Sequence, residues 1–172
     1  MNLQYKHLLP ADFHDNSRVW IYQSSRLFGM GEALQIEDLI NHFIANWKSH
    51  GAPVKGFGTL FFGQFIILMA DEQATNVGGC STDSSVRLIK EIENLYKVSM
   101  FDRQSLAFVI KDKVQLLPLN QLQYAVDNGF IEADTLYFNN LVATKKEMEE
   151  NWLIPLQSSW LKQRVQLKEK TA

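Results

Sequence analysis

An α+β sandwich is the fold class this sequence predicts, and three observations predict it. Residues 65–70, Phe-Ile-Ile-Leu-Met-Ala, are apolar at consecutive positions, the mark of a strand covered on both faces. Residues 35–49 and 86–97 each carry an apolar stripe at three- and four-residue spacing, so two amphipathic helices flank that strand. Short β-branched and aromatic runs bounded by Gly, Pro and small polar residues supply further strands.

Taken in order, residues 1–17 are polar and irregular, punctuated by Pro10 and the cluster 12–17, and read as a loose N-terminal arm. Residues 19–23, Val-Trp-Ile-Tyr-Gln, form the first strand. The first helix, 35–49, carries Ile36, Leu39, Ile40, Phe43, Ile44 and Trp47 on one side and stops at Gly51 and Pro53. His42 lies one position off that stripe, at the surface. Residues 54–62 and 64–71 make a hairpin around Gly63, with Gly56 and Gly58 marking bulges or tight packing.

The second helix, 86–97, buries Leu88, Ile89, Ile92, Leu95 and Tyr96. Asp102 and Arg103 read as a salt-bridged corner, in preference to part of a site, before a second hairpin, 105–111 and 114–119, around Asp112-Lys113. Strand, helix, strand, strand, helix, strand is the split βαβ order of a ferredoxin-like sandwich, here with an extra strand at one edge. Its first and third strands are central and its helices cover one face. The other face must be closed by the remaining chain or by a second subunit in a homodimer, because an open apolar face drives association.

Residues 18–119 are therefore the core of a single domain, and 120–172 a mainly helical C-terminal extension packed on it. Within the extension, 120–128 is a short helix capped by Gly129, and 134–140 is an extended segment ending in a turn at Asn139-Asn140. Thr144 and Glu147 form a capping box. Pro155 interrupts, and Ser158 or Ser159 opens a final helix; Trp152 and Trp160 anchor this region to the sheet.

One stretch is chemically unlike the rest: Gly78-Gly79-Cys80-Ser81-Thr82-Asp83-Ser84-Ser85, between the apolar strand and the second helix. Asp83 is placed as N-cap, with Ser81 and Ser84 as alternatives. Cys80 then sits just outside a helix N-terminus, where its thiol is activated, where free N–H groups hold an anion, or where it is a small residue in a capped turn. The binding candidates are Gly79, Cys80, Ser81, Asp83, Ser84 and Ser85, with Asn139 and Asn140 as a second polar cluster. The catalytic candidates are Cys80 and Asp83.

Composition narrows the classes. A formal charge of −2 gives no electrostatic footprint for nucleic acid. A lone cysteine and four scattered histidines, at 7, 14, 42 and 50, give neither a disulfide framework nor a zinc-ligand spacing. No metal and no cofactor is expected. The longest apolar-rich stretch, 57–70, is too short and glycine-broken to span a membrane, so the expectation is a cytoplasmic protein that is neither exported nor inserted.

Gly79-Cys80-Ser81-x-Asp83-Ser84-Ser85-Val86, Phe138-Asn139-Asn140-Leu141-Val142-x-Thr144, Trp152-x-x-Pro155 and Ser159-Trp160-Leu161 together resemble a family of small bacterial proteins of unknown function. Its members are often labelled ABC transporter ATPase. The likeness runs from Arg18 to Leu161 and implies no catalytic residues to place on this chain. The sequence contains no Gly-x-x-x-x-Gly-Lys-Ser/Thr run, on which ATP hydrolysis by the usual route depends.

The leading functional expectation is a non-enzymatic module that binds a small anionic ligand or a protein partner through the Cys80 stretch and Asn139-Asn140. The alternatives are an enzyme with Cys80 as nucleophile, activated by His14 or Asp83, an assembly protein joined through its open sheet face, and an ABC transporter-associated ATPase.

Overall fold

A computed structural model of the chain describes residues 1–73 and 79–167, with the side chains of 79–81 outside the description. The elements are β1 (Arg18–Gln23), α1 (Met30–Asn46), β2 (Lys48–Ser49), β3 (Ala52–Pro53), β4 (Gly56–Phe61), β5 (Phe65–Ala70), α2 (Gly79–Tyr96), β6 (Ser105–Ile110), β7 (Lys113–Pro118), α3 (Leu122–Asp127), β8 (Leu136–Phe138), α4 (Lys145–Asn151) and β9 (Leu153–Pro155). Single-turn 3₁₀ segments fill in around them. No helix among the described residues is long and apolar enough to cross a membrane.

Two antiparallel sheets stack face to face, one in the order β1-β5-β4 and one in the order β7-β6-β8-β9. β5 is central in the first, and all of its residues are buried, as its unbroken apolar run requires. Its odd and even positions diverge. Ile66 and Leu68 pack with Ile36 and Ile40 of α1 and Leu88, Ile89 and Ile92 of α2. Phe65, Ile67 and Met69 pack instead with Ala107 of β6, Phe138 of β8 and Trp152.

The far face of the second sheet, Leu106, Phe108 and Tyr137, is covered by Leu122, Ala125 and Val126 of α3 with Leu156 and Leu161. The order of layers is thus helix, sheet, sheet, helix. The chain itself closes the face that the sequence left to an extension or a second subunit.

Strand pairing departs from the expected ferredoxin-like sheet. There β6 would join β1; here it pairs with β7 and β8. The reason lies in its two apolar faces. Leu106 and Phe108 point to one side and Ala107 and Val109 to the other, so β6 needs cover on both, which the middle of a second sheet provides. The C-terminal extension, whose regular structure is mainly helical, also supplies two short strands: β8 and β9 complete that sheet, and the helix expected after Pro155 is a pair of 3₁₀ segments, Leu156–Ser158 and Trp160–Arg164.

The N-terminal arm is also not loose. Tyr5, Leu9 and Phe13 are buried in the inter-sheet cluster, and the Tyr5 hydroxyl donates to the Met148 carbonyl. Turn chemistry moved one hairpin by a residue: Lys111 and Asp112, both at positive φ, join Ile110 to Lys113, giving the two-residue turn whose twist suits a hairpin. The glycines of β4 mark close packing. A Cβ on Gly58 would lie 2.5 Å from Ile40 Cγ2, and one on Gly56 2.7 Å from the Trp47 ring.

Candidate functional site

The second sheet opens between β6 and β8. β6 and β8 pair only at Phe108 and Tyr137, and continuing that register would set Ser105 against Asn140. The strands instead splay, and Gln23, the last residue of β1, reaches between them. Its Nε2 donates to the Ser105 carbonyl at 3.0 Å, and its Oε1 accepts from Asn140 Nδ2 at 3.0 Å. Asn140 Oδ1 in turn accepts the indole N–H of Trp152 at 3.0 Å.

This relay is the polar floor of a cavity of about 300 Å³ lined by β1, the segment 100–103, the start of β6, the end of β8 with Asn140 and Leu141, and Trp160. Its volume is at the small end of ligand pockets. Met100, Leu106, Ala107 and Phe138 form buried apolar walls. Phe101, Asp102, Arg103 and Leu141 stand exposed at the mouth. Phe101 is held there edge-on to Tyr22, with ring centroids 5.6 Å apart.

Burial raises the Tyr22 phenol above its ordinary range; a hydrogen bond with Ser85 and the charge of Arg103 oppose that rise. Ser85 Oγ donates to the Thr82 carbonyl at 2.6 Å. Tyr137 is likewise raised by burial, with a hydrogen bond from Trp160 acting against it. Both phenols therefore stay protonated at neutral pH.

The expected salt-bridged corner at 102–103 is absent. Asp102 Oδ1 accepts from the Gln104 N–H at 2.8 Å, and Arg103 makes no ion pair among the described residues.

The residues singled out in the sequence fall in different places. α2 begins at Gly79, so Gly79, Cys80 and Ser81 belong to its first turn and Asp83 to its interior; none of them forms a loop before the helix, and Asp83 is not its N-cap. Gly78 and the Cys80 and Ser81 side chains lie outside the description. Asp83 is exposed along α2 beside Arg87 and Lys90. Ser84 accepts from Arg87 in the shallow groove between α1 and α2.

Among the described side chains of that stretch, Ser85 hydrogen-bonds to Tyr22, which lines the cavity. Asn140 lines it, whereas Asn139 caps its own turn by accepting the Leu141 N–H at 3.4 Å and borders a separate surface groove. Gln23, Tyr22 and Tyr137 are not legible as site residues in the sequence, and Arg103 reads there as a corner in preference to a site. Gln23 carried one signal, a polar amide ending an otherwise apolar strand.

The described residues contain no group of three or more His, Cys, Asp or Glu able to hold a metal ion. Comparison of the chain with protein-family models, with curated proteins and with solved structures returns no match.

Proposed function

We propose that this protein is a binding module for a small organic anion, held in the cavity between β1, β6 and β8 with Arg103 as its cationic contact. The observation that carries the reading is Arg103 itself, a guanidinium at the mouth of an apolar cavity with no ion-pair partner among the described residues. Arginine offers a planar fork that suits a carboxylate or phosphate.

The floor suits the same ligand, because Gln23 and Asn140 each have one amide hydrogen engaged and one left to give. Among the described residues no histidine or lysine lines the cavity, which favours binding over nucleophilic catalysis. The scaffold of β1, α1, β4, β5 and α2 keeps the order of a ferredoxin-like unit short of its fourth strand, and that missing strand is what leaves Gln23 free to bridge into the second sheet.

Benzoate is a suitable first probe, followed by isothermal titration calorimetry or amide chemical shifts. Binding is expected to perturb residues 21–23, 100–107 and 137–141. Arg103→Gln is expected to weaken it by about tenfold or more, the loss of one charge-assisted hydrogen bond, and added salt is expected to weaken it in the wild type. Shifts confined to the α1–α2 groove, or affinity indifferent to Arg103→Gln, would reject this site.

A further inference from the structure

We infer that the ligand carries, besides its anion, a carbonyl oxygen at its buried end with a single flat apolar body between the two, the chemical class of an acyl-substituted aromatic carboxylate. This deepens the reading above and rests on it.

The observation is the Tyr137 hydroxyl. Tyr137 is 4% exposed and lines the cavity. Trp160 Nε1 donates into its oxygen at 3.2 Å, so the phenolic hydrogen has to point away from the indole. No acceptor among the described residues receives it. A buried donor left without an acceptor destabilises the fold, and folded proteins pair nearly all such groups. With the spare amide hydrogens of Gln23 and Asn140, the cavity offers three neutral donors.

These inner donors are all neutral, and the cation stands at the exposed mouth. A carboxylate placed inward would leave water with no positive charge beside it, at a large desolvation cost. A carbonyl oxygen takes the same hydrogen bonds without that cost. Arg103 then holds the anion at the solvent side, where Asp102, beside it in the chain and committed by one oxygen to Gln104, leaves the guanidinium unpaired. Between the two ends the walls are Met100, Phe101, Leu106 and Phe138, and the volume suits one ring.

The test compares 4-acetylbenzoate, benzoate and acetophenone by titration calorimetry, with the ketone carbon of 4-acetylbenzoate ¹³C-labelled. The acetyl acid is expected to bind about tenfold tighter than either partial probe, one buried hydrogen bond at each end. Its ketone resonance is expected to move downfield on binding, the signature of a hydrogen-bonded carbonyl. In Tyr137→Phe, with its fold checked by amide spectra, both the downfield shift and the advantage over benzoate are expected to disappear.

If 4-acetylbenzoate and benzoate bind equally and the ketone resonance stays put, this inference fails while anion binding at Arg103 stands. If no aryl carboxylate binds in an Arg103-dependent way, both fail.

Discussion

Asn140 is where stability and binding meet in one side chain. It accepts the indole N–H of Trp152, a fully buried residue, and donates to Gln23, which itself bridges to Ser105. Replacing it by leucine leaves the Trp152 donor and the Gln23 acceptor without partners in a low-dielectric setting. Asn140→Leu is therefore expected to lower the unfolding free energy by about 2–3 kcal/mol, read as a shift of the urea midpoint at unchanged slope. The sequence marked Asn140 as an unusual polar residue in a turn but could not tell a turn residue from a ligand contact, and the structure shows it as the centre of a relay. Gln23 was illegible for a physical reason: its partners lie 117 and 82 residues away in sequence, and nothing local distinguishes such an amide from any strand end.

At the level of elements, apolar periodicity located helices well and their ends poorly. The stripe of α1 begins at Ile36, yet the helix begins at Met30, because its first turn is fixed by polar contacts. Glu32 reaches back to the Gly29 N–H at 2.8 Å and takes a bidentate pair from Arg26 at 2.8 Å to each oxygen. These hold the Glu32 carboxyl at about 2, well below its ordinary 4.5, with the Arg26 hydrogen bonds the largest cause. A depressed carboxylate stabilises the fold fully above its unfolded pKa, and the contribution is lost as pH falls toward the folded one. Wild type is thus expected to exceed Glu32→Gln in stability at neutral pH, with the gap closing between about pH 4.5 and pH 2 and narrowing in high salt because the pair is solvent-exposed. Paired urea titrations across that range check it. The same limit explains α2, where the run of capping-type residues from Ser81 to Ser85 suggested a helix start and instead became the first turns of the helix.

At the scale of the whole molecule, the sequence made the demand visible but not the answer. An unbroken apolar β5 requires cover on both faces, and that much was legible; that the cover is a second sheet was not, since β8 is three residues long and β9 is three residues long, too short to show any period. Nor did the polar arm betray that its widely spaced Tyr5, Leu9 and Phe13 act together to seal the gap between the sheets. Tyr5 stands edge-on to Trp152 with centroids 4.8 Å apart and touches Phe61 as well, and the Phe13 carbonyl accepts from the buried Lys145 Nζ at 3.0 Å. Tyr5→Ala removes the ring and opens a cavity against Trp152, at an expected cost of about 3–5 kcal/mol. Deleting residues 1–13 strips all three anchors and the Lys145 acceptor, and is expected to remove most of the stability of a domain whose total is about 5–15 kcal/mol. The truncated chain should bind a hydrophobic dye and lose near-ultraviolet circular dichroism while its far-ultraviolet spectrum persists. An unchanged urea midpoint after the deletion would mean that the sandwich closes without the arm.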